Sequence, residues 1–147
     1  MEHPNEKIPA LGVHQPWAEL ILRGVKTLEI RSAATRMRGV VFLYASRRLS
    51  SLPEAQRAMA EQGLVTADLV VGHLVGTVEI VGSRPFMSED AVAACVSAEG
   101  RESLQAWVLA NPQRLPEPLW PRFLPYGVWF YPFRRRQALP GKPLDRR

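Results

Sequence analysis

Residues Gly12 to Ser32, GVHQPWAELILRGVKTLEIRS, join a short amphipathic helix to a strand through one tight turn. Pro16 suits the first turn of a helix over Pro16 to Arg23, where its missing N–H has no partner to lose. Trp17, Leu20 and Ile21 recur at i, i+3, i+4 and form one apolar stripe. Glu19 and Arg23, four apart, pair on the exposed side. Gly24 stands where a helix ends in a left-handed residue, so Lys26 emerges as the chain turns. The next residues alternate, with Thr27, Glu29 and Arg31 on one face of a strand and Leu28 and Ile30 on the other. The apolar pair belongs to a core. A threonine, an acid and a base in line, with an ammonium group at the strand entrance, need either water or a ligand. Spacing alone favours the wet face of an antiparallel sheet over a wall of a cleft.

The 147 residues fit one domain, long enough to bury a continuous core without staples. A net charge of +5 and a pI near 10.0 tilt partners toward anions, of which nucleic acid is the commonest large one. Part of that excess is terminal, in Arg134, Arg135, Arg136, Lys142, Arg146 and Arg147. A single cysteine, Cys95, excludes an internal disulfide, and in AACVSA it reads as a small buried hydrophobe. His3, His14 and His73 are scattered without ligand spacing, so no metal is expected. No Walker or dinucleotide fingerprint points to a cofactor, and no G-x-S-x-G to a serine nucleophile. No apolar run approaches a membrane span, and MEHPNEKIP has no apolar signal region. The expectation is a cytoplasmic protein with no membrane contact.

Along the chain, Met1 to Pro9 read as a loose lead-in and Leu11 to Val13 as a short strand. Val40 to Ala45 (VVFLYA) is continuously apolar, as in a strand buried on both faces. Ser51 and Glu54 read as a capping box for a helix through EAQRAMAEQ that Gly63 ends. His73 to Ser83 is the longest strand, with Leu74, Val78 and Ile80 on one side and His73, Val75, Thr77, Glu79 and Val81 on the other. Ser88 is placed to cap a helix over Glu89 to Val96, and Leu104 to Leu109 reads as another strand. The proline-rich Asn111 to Pro125 cannot be a central strand, because proline has no N–H for the ladder, and is expected to wrap the surface in extended form. Tyr126 to Phe133 is an aromatic strand, and the basic residues beyond it a mobile tail. Several strands with non-local order and short helices between them predict an α+β fold with a small mixed barrel.

Gln15-Pro16-Trp17-Ala18 followed by Gly24-Val25-Lys26-Thr27-Leu28-Glu29-Ile30-Arg31 strongly resembles the ASCH (activating signal cointegrator homology) family, whose members show a Q-P-[WY]-A helix start and then G-x-K-T-x-E-x-R. A looser likeness runs through Gly76 to Val81 and Gly127-Val128-Trp129, so that it covers most of Leu11 to Phe133. The resemblance implies a PUA-like β-barrel with flanking short helices over residues 1–133, followed by a basic tail, 134–147. It implies RNA or nucleotide binding in a basic cleft, with Gln15, Trp17, Lys26, Thr27, Glu29, Arg31, Glu79 and Arg84 as binding residues. The alternative is a small hydrolase of a modified nucleoside or of RNA, with Lys26 and Glu29 catalytic. One branch, the bacterial acetylcytidine amidohydrolases, uses a lysine, a threonine and a glutamate. The lysine falls on Lys26, but the threonine position holds Glu29, so that activity does not carry over, and Glu79, Glu99 and Glu102 stay open for the second carboxylate. Arg36, Arg38, Arg47 and Arg48 extend the basic footprint, and Trp129 and Tyr131 are either core or a stacking surface.

Overall fold

The computed structural model describes residues 7–123 and 127–134. The lead-in before Lys7, Tyr126 and the tail beyond Arg134 therefore lie outside the described residues. The elements in order are β1 (Ala10–Gln15), α1 (Trp17–Leu22), β2 (Leu28–Arg31), β3 (Gly39–Leu49), α2 (Pro53–Glu61), β4 (His73–Pro85), α3 (Ala91–Ala94), β5 (Gln105–Leu119) and β6 (Trp129–Phe130). They form a six-stranded sheet in the order β2-β5-β4-β3-β1-β6. Only β1 and β3 run parallel; the other pairs are antiparallel. Backbone pairing stops at β2 and β6, so the expected mixed barrel takes the form of a curled half-barrel.

The apolar run in β3 is covered on both faces from Val41 to Ala45, while Val40, expected to be part of it, is exposed. Val41, Leu43 and Ala45 enter the main core with Leu11, Val13, Trp17, Leu20 and Ile21. Phe42 and Tyr44 point the other way, into a smaller cluster with Ala10, Leu74 and Phe130. Edge-on ring contacts, Tyr44 to Phe130 at 5.4 Å and Phe42 to Phe133 at 5.7 Å, hold that second layer.

The structure corrects the side assignment in β4. Leu74 belongs to the small cluster, whereas Val75, Val78 and Ile80 face the main core. The pairing register of β4 shifts between Leu74 and Gly76 against β5, and at Leu43/Tyr44 against β3. An inserted residue flips the alternation from there on, and it bends the strand. Two further shifts, at Thr77/Glu79 and Ile80/Gly82, continue the curl.

The proline-rich segment is corrected as well. Asn111 to Leu119 is the second half of β5, not a surface wrap. Its prolines are tolerated because β2 covers only Gln105 to Val108, which leaves the rest of β5 with β4 on one side. Arg114 from this half clamps α1 by donating from both terminal nitrogens to Glu19, at 2.9 and 2.8 Å. These bonds and the Arg23 pair hold the Glu19 carboxyl below its ordinary pKa, against burial that alone would raise it.

Two helix starts differ from expectation. Ser51 does not cap α2: Leu52 precedes it, Pro53 opens it, and Glu54 reaches across to Ser97 and Arg101 instead. Ser88 opens a 3-10 turn, and the expected eight-residue helix shrinks to Ala91–Ala94, ended by Cys95 at φ 62°. Asp90 anchors that turn by accepting the Met87 N–H at 2.8 Å. Among the described residues of the aromatic strand, only Trp129–Phe130 pair as strand.

Candidate functional site

The turn after α1 aims the lysine inward. The N–H groups of Val25 and Lys26 both donate to the Leu20 carbonyl, at 3.0 and 3.1 Å, with Gly24 at φ 77° making the reversal possible. The Thr27 N–H donates to Ala93 and its carbonyl accepts from Leu109, which pins the turn between α3 and β5. Lys26 is thereby only 3% exposed. Its ammonium donates to the Ala94 carbonyl at 2.6 Å, lies 5.2 Å from the centre of the Trp17 ring, and stands 3.9 Å from Glu29 Oε1. Burial lowers its pKa, and the neighbouring Glu29 carboxylate opposes part of that shift.

Glu29 is also buried, at 7% exposure, on the cavity side of β2. Arg31 grips its Oε2 from Nε at 2.8 Å and from Nη2 at 2.7 Å. Among the described residues Oε1 accepts no hydrogen bond, and its ion-pair contact is Lys26 Nζ at 3.9 Å. Among the described residues every side-chain nitrogen or oxygen sealed from solvent has a partner, so Oε1 is not sealed, and Glu29 lines the cavity. Arg31 Nη2 donates as well to the Gly12 carbonyl at 2.8 Å, which ties β2, at one end of the sheet, to β1 near the other. Its guanidinium lies 5.5 Å from the Trp107 ring, and Trp107 stacks on Trp129 of β6 at 5.7 Å with the rings 3° apart. Side chains thus draw the two ends of the half-barrel together where its backbone does not close.

These groups line a cavity of about 520 Å³, within the size range of small-ligand sites. Trp17, Lys26, Glu29, Ile30 and Arg31 supply one part of the wall, Gly12 to His14 and Ser50 to Leu52 a second, and Val96, Arg101 and Leu104 a third. Four of the sequence-predicted residues, Trp17, Lys26, Glu29 and Arg31, come together here. Trp17 does so as a core residue at 6% exposure whose ring also forms wall. The other four stand apart. Gln15 is buried and structural: its amide donates to the Val70 carbonyl at 2.8 Å and its Oε1 accepts the Glu19 N–H at 2.9 Å. Thr27 is exposed beside the turn. Glu79 accepts from Asn111 at 3.0 Å, on the side of β4 opposite Val78. Arg84 is locked to Asp90 by two hydrogen bonds of 2.6 and 2.9 Å. Neither Glu99 nor Glu102 reaches the cavity, and Glu29 is the one acid among its described lining residues.

Arg101 was not legible as a site residue, since nothing in its spacing links it to Lys26. Its Nη1 donates to Glu54 at 2.9 Å and to the Ser97 carbonyl at 2.7 Å. The Ser97 N–H and this guanidinium lower the Glu54 pKa from 4.5 to about 2. Cys95 lies outside the cavity, and burial pushes its thiol up, away from nucleophile chemistry.

Fold and site together define a PUA-like half-barrel with a lysine–glutamate–arginine cavity. A sequence model of the ASCH domain matches residues 11–119. The chain belongs to the ASCH domain family, one associated with RNA binding and with hydrolase activity. It is similar to human activating signal cointegrator 1, with 35% identity over an alignment of 78 residues that covers 48% of this chain and 13% of that protein. The mouse activating signal cointegrator 1 is 29% identical over 112 residues, 71% of this chain and 19% of that protein. The chain therefore spans less than a fifth of these relatives. Among solved structures, ASCH from Zymomonas mobilis superposes with a TM-score of 0.59 at 17% identity, covering 86% of this chain and 88% of that one. A point mutant of the same protein gives 0.55 at 14% identity, over 85% and 89%. No helix among the described residues is long and apolar enough to cross a membrane.

Proposed function

We propose that this domain binds RNA or a nucleotide by taking one base into the cavity. The observation that carries the reading is the adjacency of Lys26 Nζ and Glu29 Oε1, 3.9 Å apart on one wall. The ammonium has three N–H donors and gives one hydrogen bond, to Ala94. The carboxylate oxygen is an open acceptor. A donor beside an acceptor matches the edge of a base that presents the reverse pair, such as an exocyclic amine next to a ring nitrogen or carbonyl. Arg31 serves this pair by fixing the carboxylate, and Trp17 offers the ring against which an apolar base face can lie. The convergence of these groups in a concavity favours base recognition over adhesion to a flat basic surface.

Hydrolysis is the second reading, and the buried lysine favours it. An ammonium with lowered pKa beside a carboxylate fits a pair in which Glu29 activates water and Lys26 stabilises an oxyanion. Both readings are tested by titrating short RNAs, nucleosides and acetylated nucleosides into the protein, with product analysis on the same samples. Binding that Glu29→Gln and Lys26→Met each weaken about tenfold or more supports recognition. Turnover lost in both variants supports hydrolysis. Absence of binding and turnover across the panel rejects both.

A further inference from the structure

Arg101, on the cavity wall, leaves most of its hydrogen-bonding capacity unused. A guanidinium carries five N–H groups. Arg101 commits only Nη1, to Glu54 Oε2 and the Ser97 carbonyl. Among the described residues, Nε and Nη2 have no partner, and neither is sealed from solvent, since no such atom lacks a hydrogen bond. The side chain is 20% exposed and borders the cavity. Two anchors from separate segments, α2 and the loop after α3, hold its plane still. Arg31, by contrast, directs Nε and Nη2 to Glu29 and Gly12, and Lys26 is turned to Ala94 and Glu29. Lys26, Arg31 and Arg101 against Glu29 and Glu54 also leave one positive charge in excess.

We infer that Arg101 is a phosphate partner, so that the cavity takes a phosphorylated nucleotide in preference to the corresponding nucleoside. This rests on the base-binding reading above. A free nucleoside would fill the Lys26–Glu29 end and leave the Arg101 fork facing water. A phosphate group matches that fork in geometry, with two parallel N–H···O bonds from Nε and Nη2, and neutralises the surplus charge. The ligand is then a mononucleotide, or a nucleotide within a strand, read by its base at one end and its phosphate at the other.

The test is calorimetric titration of the full chain with the four common ribonucleosides, their 3′- and 5′-monophosphates, and an RNA tetranucleotide, at two salt concentrations. For at least one base, the monophosphate is expected to bind about tenfold or more tightly than the nucleoside. Added salt should narrow that ratio. In Arg101→Gln the ratio should fall toward one, while Arg101→Lys, which keeps charge but loses the fork, should retain part of it. Because Arg101 also ties α2 to its loop, melting curves accompany each variant, and the salt dependence of the ratio in the unaltered protein needs no variant. Equal affinity for nucleoside and monophosphate overturns the inference and leaves base recognition standing. A ratio that persists in folded Arg101→Gln overturns it too. No binding by any probe removes the base-binding reading and this inference with it. A tetranucleotide that binds where monophosphates do not places the ligand within a strand.

Discussion

Replacing Gly76 by alanine tests how the half-barrel positions the turn that carries Lys26. A Cβ built on Gly76 falls 2.4 Å from Leu22 Cδ2 and 2.5 Å from the Gln113 carbonyl oxygen. The Leu22 methyl can rotate away. The carbonyl cannot, because it is backbone of β5 beside the Gly76–Arg114 pairing. Relief therefore requires β5 to shift against β4. Forcing one extra carbon into such a site costs about 1–3 kcal/mol, and the immovable carbonyl puts Gly76→Ala at the upper end, near ~3 kcal/mol. For a chain of this length that corresponds to a melting temperature lower by roughly 10 °C. Gly82→Ala is the matched control in the same strand: its Cβ meets Val108 atoms at 3.5 and 3.6 Å, ordinary contact. Gly82→Ala should stay within about 1 kcal/mol of the parent. Paired thermal and denaturant melts measure both. A Gly76→Ala protein as stable as Gly82→Ala would refute the claim that close approach, rather than backbone freedom, requires glycine at that position.

Arg31→Ala should cost roughly 2–3 kcal/mol, because it leaves a buried Glu29 without its closest charge partner and unties β2 from β1; chemical denaturation reads this, and Glu29→Gln in the same background should recover part of the loss. Lys26 has its folded pKa lowered below 10.5, so the unfolded chain binds more protons between those two values and stability should rise with pH across that window. A pH series of melts should show this rise and its disappearance in Lys26→Met. Ligand binding that needs the ammonium should weaken with rising pH over the same range. Glu54 runs the opposite way: its folded pKa of about 2 lies below 4.5, so its contribution is full above pH 4.5 and is lost as pH falls toward 2. Acid melts of Glu54→Gln should lack that component.

Local periodicity was enough to read the helix–turn–strand unit of Gly12 to Ser32, because its stripe, its glycine stop and its alternation are set by near neighbours. The same holds for Val41 to Ala45 of β3, whose burial on both faces follows from having no polar position to spare. What escaped that reading depends on partners far along the chain. The bulge at Leu74/Gly76 reversed the side of one leucine, since register shifts arise from pairing and leave no mark in alternation. Prolines in β5 looked like a bar to strand structure, but they are tolerated where β2 has already ended and no neighbour asks for their N–H. Side chains that read alike, such as Arg31 and Arg84, were separated by tertiary structure alone: one turns into the cavity to hold Glu29, the other is locked on Asp90. Short-range spacing determined that Lys26, Glu29 and Arg31 share one segment. Only the curl of the sheet, which brings Gly12 to Arg31, and the loop after α3, which adds Arg101 to the lining, turned that segment from a wet face into the wall of a cavity.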